Sequence, residues 1–185
     1  MPGIGQSGAS PTPHADSLGV IISLPPALAE QLSERRAEYA GPGSAVVPPH
    51  ITLVSGRAKE AWNDAAEHVR KVAAAGEPFV ISLRGTGTFE PISPVVFLNV
   101  ADGAHDCVQL HEQLLEGPLE HLLAFDFHPH LTIAHDLDAP NMARAKADMA
   151  DFSADFEVAS IGLYNFIAGG WALREELALG GARRG

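Results

Sequence analysis

The chain has 185 residues, 46% of them hydrophobic and 19% charged, an ordinary balance for a globular protein able to bury a sizeable core. Its net charge of −11 argues against broad, non-specific nucleic-acid binding, which needs a basic footprint, though it says little about one local cleft. The single cysteine, Cys107, excludes an intramolecular disulfide, and no apolar run reaches the ~18 residues that span a bilayer. With no basic-then-apolar leader pattern at the start, a cytoplasmic, membrane-free monomer is expected.

Residues 1–16 are rich in Gly, Ser, Pro and Ala and read as a disordered tail, as do residues 180–185; one domain is expected over 17–179. Residues 20–24 are apolar and β-branched, a buried strand. Pro25 and Pro26 open a helix whose Leu28, Leu32 and Tyr39 share a face, and Gly41-Pro42-Gly43 ends it. Residues 46–49 lead extended into a strand that starts at His50 and ends near Gly56. A helix over 59–75 carries the stripe Trp62, Ala65, Ala66, Val69, Val72 and Ala73, with His68 and Arg70 on its solvated flank. A strand from Phe79 runs through Gly85 and Gly87 toward Phe89, and a turn occupies 91–94.

The pattern then restarts. Residues 95–100 form an apolar strand, and a helix from about His105 turns Cys107, Leu110, Leu114 and Leu115 inward until Gly117-Pro118 breaks it. A strand is expected over 125–134, a short helix over 141–152, and a closing hairpin of 156–166 with 171–179 across Gly169-Gly170. The chain therefore reads as strand, helix, strand, helix, strand, written twice, with one extra strand.

The middle strand of each copy carries the chemistry. Pro49-His50-Ile51-Thr52-Leu53 and Pro129-His130-Leu131-Thr132-Ile133 are versions of one motif, with histidines 80 positions apart. On a strand, His50 and Thr52 face one way while Ile51 and Leu53 face the other, and the second copy repeats this. Two facing imidazoles suit acid–base catalysis near neutral pH, one taking a proton and the other giving one. Two hydroxyls on the same face suit a phosphoryl group with spreading charge. His128 shares that face if the strand begins early enough. His50, His128 and His130 also raise a zinc-site alternative, but no cysteine or carboxylate stands beside them at ligand spacing. His105, His111 and His121 have no partner motif and read as structural or solvated.

With these motifs the chain resembles the two-histidine (2H) phosphoesterase superfamily, in particular its 2′-5′ RNA ligase-like or RNA 2′,3′-cyclic phosphodiesterase branch. The resemblance covers residues 18–179 and extends to Gly85-Thr86-Gly87-Thr88-Phe89 and Pro94-Val95-Val96-Phe97. It implies an α+β, duplicated bilobal fold with two antiparallel-rich sheets lining a central cleft and helices outside. It implies His50 and His130 as the catalytic pair, Thr52 and Thr132 as phosphate binders, and no metal or nucleotide cofactor. The implied reaction opens a 2′,3′-cyclic phosphate, on an RNA end or a nucleotide, to a phosphomonoester. Two features depart from the family pattern. Where members often carry Arg or Lys shortly after the second motif, this chain has His135, and it is acidic overall, with Arg57 the nearest candidate cation in sequence. These leave open which cyclic phosphate is cleaved. A binding module that captures such a ligand without turnover, and a ligase running the reverse reaction, are the rival readings.

Overall fold

A computed structural model describes residues 16–41, 47–122 and 125–180. The expectations for residues 1–15, 42–46, 123–124 and 181–185 lie outside the described residues. The elements are β1 (Ser17–Ser23), α1 (Pro26–Ala40), β2 (His50–Ala58), α2 (Trp62–Ala75), β3 (Phe79–Thr88), β4 (Val95–Asp102), α3 (Ala104–Leu115), β5 (Leu119–His121), β6 (His130–His135), α4 (Ala139–Asp148), β7 (Ser153–Val158), β8 (Ser160–Ile167) and β9 (Gly170–Ala178). The expected α+β class and the motif strands hold.

Local chemistry explains several boundaries. Pro26 sits in the first turn of α1, where its missing N–H has no helical partner to lose. The Asp138 carboxylate caps α4 by accepting from the Asn141 N–H at 2.9 Å. Helix α2 begins at Trp62 rather than Lys59, because the Lys59 N–H donates to the Pro118 carbonyl and Ala61 is extended. The strand expected over 125–134 is confined to β6, and the expected single strand over 156–166 is two. β7 pairs with β3, the chain turns at Ala159, and β8 pairs with β1 and β9. β5 is an additional short strand on the far end of β2.

The described strands are all antiparallel and join in one nine-stranded sheet ordered β7-β3-β4-β6-β2-β1-β8-β9, with β5 on β2. It is built as two half-sheets, β9-β8-β1-β2 and β6-β4-β3-β7, that meet where Ile51 pairs with Leu131. Around the motifs the registers of the two halves correspond. Ile21 pairs with Thr52 and Gly162, as Phe97 pairs with Thr132 and Gly87.

The sequence repeats and the half-sheets are not the same units. β3 follows the first motif in the chain but pairs with β4 in the second half, and β8 follows the second motif but pairs with β1 in the first. Helices are exchanged likewise: α1 packs on β6 and α4, while α3 packs on β2 and β5. Ile51 and Leu131 are wholly buried on the helix side of the seam. Burial of side chains this size stabilises by roughly 1.5–3 kcal/mol each, so the apolar half of each motif fixes which way its polar half points.

Candidate active site

The register places the two motifs in a grid. With Ile51 opposite Leu131 in an antiparallel pair, His50 neighbours Thr132 and Thr52 neighbours His130. The two histidines lie on one diagonal and the two threonines on the other. All four side chains are half-buried on the face opposite the core, while Ile51, Leu53, Leu131 and Ile133 are buried behind them.

Each motif ends in a bulge. Along β2 the pairing with β1 passes from Thr52 to Val54 and skips Leu53; along β6 the pairing with β4 passes from Thr132 to Ala134 and skips Ile133. The extra residue reverses the alternation. Ser55 and His135 are thereby brought round to the side of the threonines, and both line the cavity. The sequence signal for this was two consecutive apolar residues after each threonine, Leu53-Val54 and Ile133-Ala134, all buried.

Both imidazoles are held alike. His50 Nδ1 lies 2.9 Å from the Pro48 carbonyl, and His130 Nδ1 lies 2.7 Å from the His128 carbonyl. A carbonyl only accepts, so Nδ1–H donates in both rings and Nε2 of the neutral ring carries no proton. The intervening Pro49 and Pro129 are buried and fix the turn of the chain that presents these carbonyls. Burial lowers the His50 pKa below its ordinary value, opposed by the bond to Pro48 and reinforced by the charge of Arg36. Burial likewise lowers His130, opposed by its bond to His128 and reinforced by the charges of His128 and His50. An anion entering between them would raise both.

The grid opens into a cavity of about 570 Å³, within the size range of small-molecule sites. His50, Thr52, Thr132 and His135 line it, together with Arg36 of α1 and an aromatic wall of Tyr164 and Trp171. Among the described residues no Asp or Glu lines it, although the chain carries 23 of them. The nearest carboxylate recorded against the lining is that of Asp136, 3.2 Å from His135 Nδ1. His130 is packed edge-on to Phe89 at 4.9 Å between ring centres and tilted against Phe97 at 5.2 Å.

The candidate residues named from sequence divide as follows. His50, Thr52, His130 and Thr132 form the grid. His135 lines the cavity, with Nδ1 3.2 Å from the Asp136 carboxylate. His128 is exposed beside Phe97 and His130 and is not among the residues lining the cavity; its carbonyl, not its ring, holds His130. Arg57 is a correction. It lies five residues past Thr52 along β2, ~16 Å at ordinary strand rise, and pairs with Glu120 of β5 at 2.8 Å. Among the described residues, the Lys or Arg that lines the cavity is Arg36. Its signal was present in α1, since position 36 continues the buried stripe between Leu32 and Tyr39. Among the described residues, no three His, Cys, Asp or Glu are grouped so as to hold a metal ion. No helix among them is long and apolar enough to cross a membrane.

A second histidine pair braces the first motif from behind. His111 Nδ1–H donates to the Leu53 carbonyl at 2.7 Å, and His121 Nδ1 accepts from the Ser55 N–H at 3.1 Å, so the two rings grip both sides of the β2 bulge. His111 stacks on Phe127 at 4.0 Å and meets His121 edge-on. These histidines are structural, as expected, but in a specific role. β5 reaches them because Gly56 has no side chain: a Cβ there would lie 1.6 Å from the Glu120 carbonyl oxygen.

Comparison with known proteins agrees with this geometry. The model of the 2′-5′ RNA ligase superfamily matches residues 24–170. A protein of Oceanobacillus iheyensis named "putative phosphoesterase" is 31% identical over 65% of this chain and 71% of its own. A Geobacillus kaustophilus protein of the same description is 29% identical over 88% and 96%. In fold, the chain is similar to Escherichia coli LigT in complex with 3′-AMP, with a TM-score of 0.64, 21% identity, and 90% and 99% coverage. It is equally similar, at TM-score 0.64 and 21% identity, to a Thermus thermophilus structure covering 90% of this chain and all of that one. The paired motifs, the exchanged half-sheets and the family match together make this chain a member of the 2′-5′ RNA ligase superfamily of two-histidine phosphoesterases.

Proposed function

We propose that the protein is a metal-independent phosphodiesterase that hydrolyses a 2′,3′-cyclic phosphate to a phosphomonoester. The observation that carries this reading is the matched tethering of His50 and His130, each through Nδ1 to the carbonyl two residues before it. Two imidazoles tethered alike, on one diagonal of a grid whose other diagonal holds two hydroxyls, suit in-line displacement at phosphorus. One neutral Nε2 takes a proton from the attacking water. The other, as imidazolium, gives a proton to the departing ribose oxygen as the P–O bond breaks. The hydroxyls of Thr52 and Thr132 donate to the non-bridging oxygens, where charge grows in the transition state. A cavity whose described lining holds no carboxylate answers the objection raised by the acidic composition. The E. coli LigT complexes with 3′-AMP, phosphate and NADP+ support a ligand of the nucleotide class.

The test is turnover of 2′,3′-cyclic nucleotides and of short RNAs with cyclic-phosphate ends, with EDTA present. His50→Ala and His130→Ala should each lower kcat by ~10²–10⁴-fold. Because burial depresses both histidines in the free enzyme, the bell-shaped profile of kcat/KM should be centred on the acid side of 6.5. Turnover that survives both substitutions would refute the mechanism, and tight binding without turnover by wild type would make the cleft a capture module.

A further inference from the structure

Beside the two histidines the halves differ in what packs there. In the second half, Phe97 and Phe89 stand 4.4 Å apart and close against His130. The register gives their first-half counterparts as Ile21 and Tyr164. There Gly19 carries no side chain, and the Trp171 ring lies 3.5 Å from where its Cβ would be. Two phenylalanine rings close on His130, whereas Gly19, Ile21, Tyr164 and Trp171 on the other side line the cavity. Beyond the grid, every residue described as lining the cavity except His135 belongs to β1, α1, β2, β8, β9 or the segments that flank α1. The body of a bound substrate must therefore lie over the first half.

At the α1 edge of that space stands Arg36. One of its five N–H donors, on Nη1, is used at 2.9 Å on the Val47 carbonyl. Among the described residues it has no carboxylate partner, whereas Arg35, Arg57, Arg70, Arg84 and Arg144 each have one. Leu24, Ala29 and Val47 are apolar lining of the same cavity, and burial lowers the pKa of Arg36. A half-buried guanidinium without a counter-ion is costly until an anion meets it. The phosphate that is cleaved already has the four grid side chains of β2 and β6, while Arg36 projects from a helix beside the chain that leads into β2.

We propose that Arg36 forms a subsite for a second anionic group of the substrate, a phosphate other than the one cleaved, with the intervening nucleoside against Tyr164 and Trp171. This rests on the phosphodiesterase reading. The second phosphate is either a 5′-phosphate on the same nucleotide or the next phosphodiester of an RNA end, and the guanidinium fork serves both.

The experiment compares kcat/KM of the full chain for adenosine 2′,3′-cyclic phosphate, its 5′-phosphorylated form, and the dinucleotide ApA ending in a 2′,3′-cyclic phosphate. Wild type should prefer at least one doubly charged substrate by roughly tenfold to a hundredfold, the scale of one charge-assisted hydrogen bond, and carry the preference in KM. Whichever is preferred identifies the source of the second phosphate. Arg36→Gln should collapse the preference toward one, and Arg36→Lys should retain part of it, with both variants checked for unchanged thermal melting. Equal kcat/KM for all three substrates in wild type, or an equal loss on all three in Arg36→Gln, would overturn the subsite. If wild type turns over none of them, the phosphodiesterase reading fails and calorimetry still decides the subsite. Tighter binding of adenosine 3′,5′-bisphosphate or the dinucleotide ApAp than of 3′-AMP, lost in Arg36→Gln, upholds it, and equal binding overturns it.

Discussion

Acid should loosen the β2 bulge through one side chain, His121. Burial, with the charge of His111 second, holds its pKa down to about 4 from the ordinary 6.5. Its Nδ1 must be unprotonated to accept the Ser55 N–H. Between those two values the unfolded chain binds the proton and the folded chain does not. The stabilisation is thus complete above about pH 6.5 and is lost as the pH falls toward 4. For a single group with those constants, the loss between pH 7.5 and 4.5 is about 2.5 kcal/mol, reduced to roughly 1–2 by solvent screening of a ring that is only half-buried. His121→Asn keeps an acceptor on the γ-atom but does not titrate. Urea unfolding of both proteins at both pH values isolates the effect, because His50, His130 and the carboxylates titrate in each. Wild type should lose roughly 1–2 kcal/mol more than the variant. Equal losses in the two proteins would show that His121 is not held neutral by the fold, and the account of the brace would be wrong.

Two other perturbations test the architecture of the site. In Gly87→Ala the new Cβ would lie 2.6 Å from the Phe97 ring, which backs His130. Overpacking of this kind costs about 1–3 kcal/mol, so a lowered Tm and a reduced kcat should appear together, and an unchanged kcat would show that Phe97 does not position the imidazole. Leu131→Ala removes a wholly buried side chain from the seam. It should cost about 3–5 kcal/mol in urea unfolding; a loss under about 1 kcal/mol would mean that the seam relaxes freely.

The placement of the motif side chains was the most legible part of the sequence, because period-two alternation fixes the relation of His to Thr and of Ile or Leu to the core without any knowledge of partners. The helical stripes of α1, α2 and α3 were legible for the same reason, with Leu32, Ala65 and Leu114 buried as their spacing requires. Pairing was not. The buried positions shift from even to odd across Ala159, from Phe156 and Val158 to Ile161 and Leu163, which marks a break between β7 and β8, but nothing local says that the two strands belong to different half-sheets. Arg57 was chosen because it is near Thr52 in sequence, but distance along a strand grows with every residue. Arg36 lies far off in sequence and close in space. The bulges were written in Leu53-Val54 and Ile133-Ala134, yet an apolar pair also reads as a strand buried on both faces, and only pairing separates the two.

The exchange of β3 and β8 has a consequence for ancestry and engineering. A single copy of the repeat cannot close on itself, because its last strand has no berth in its own half. It can only lend that strand to another copy and borrow one in return. The present chain has the topology of a reciprocal, strand-lending pair joined end to end, with its two motifs meeting at the seam between the halves. Duplicating or deleting one repeat would therefore not add or remove a site. It would leave a sheet with an unreturned strand.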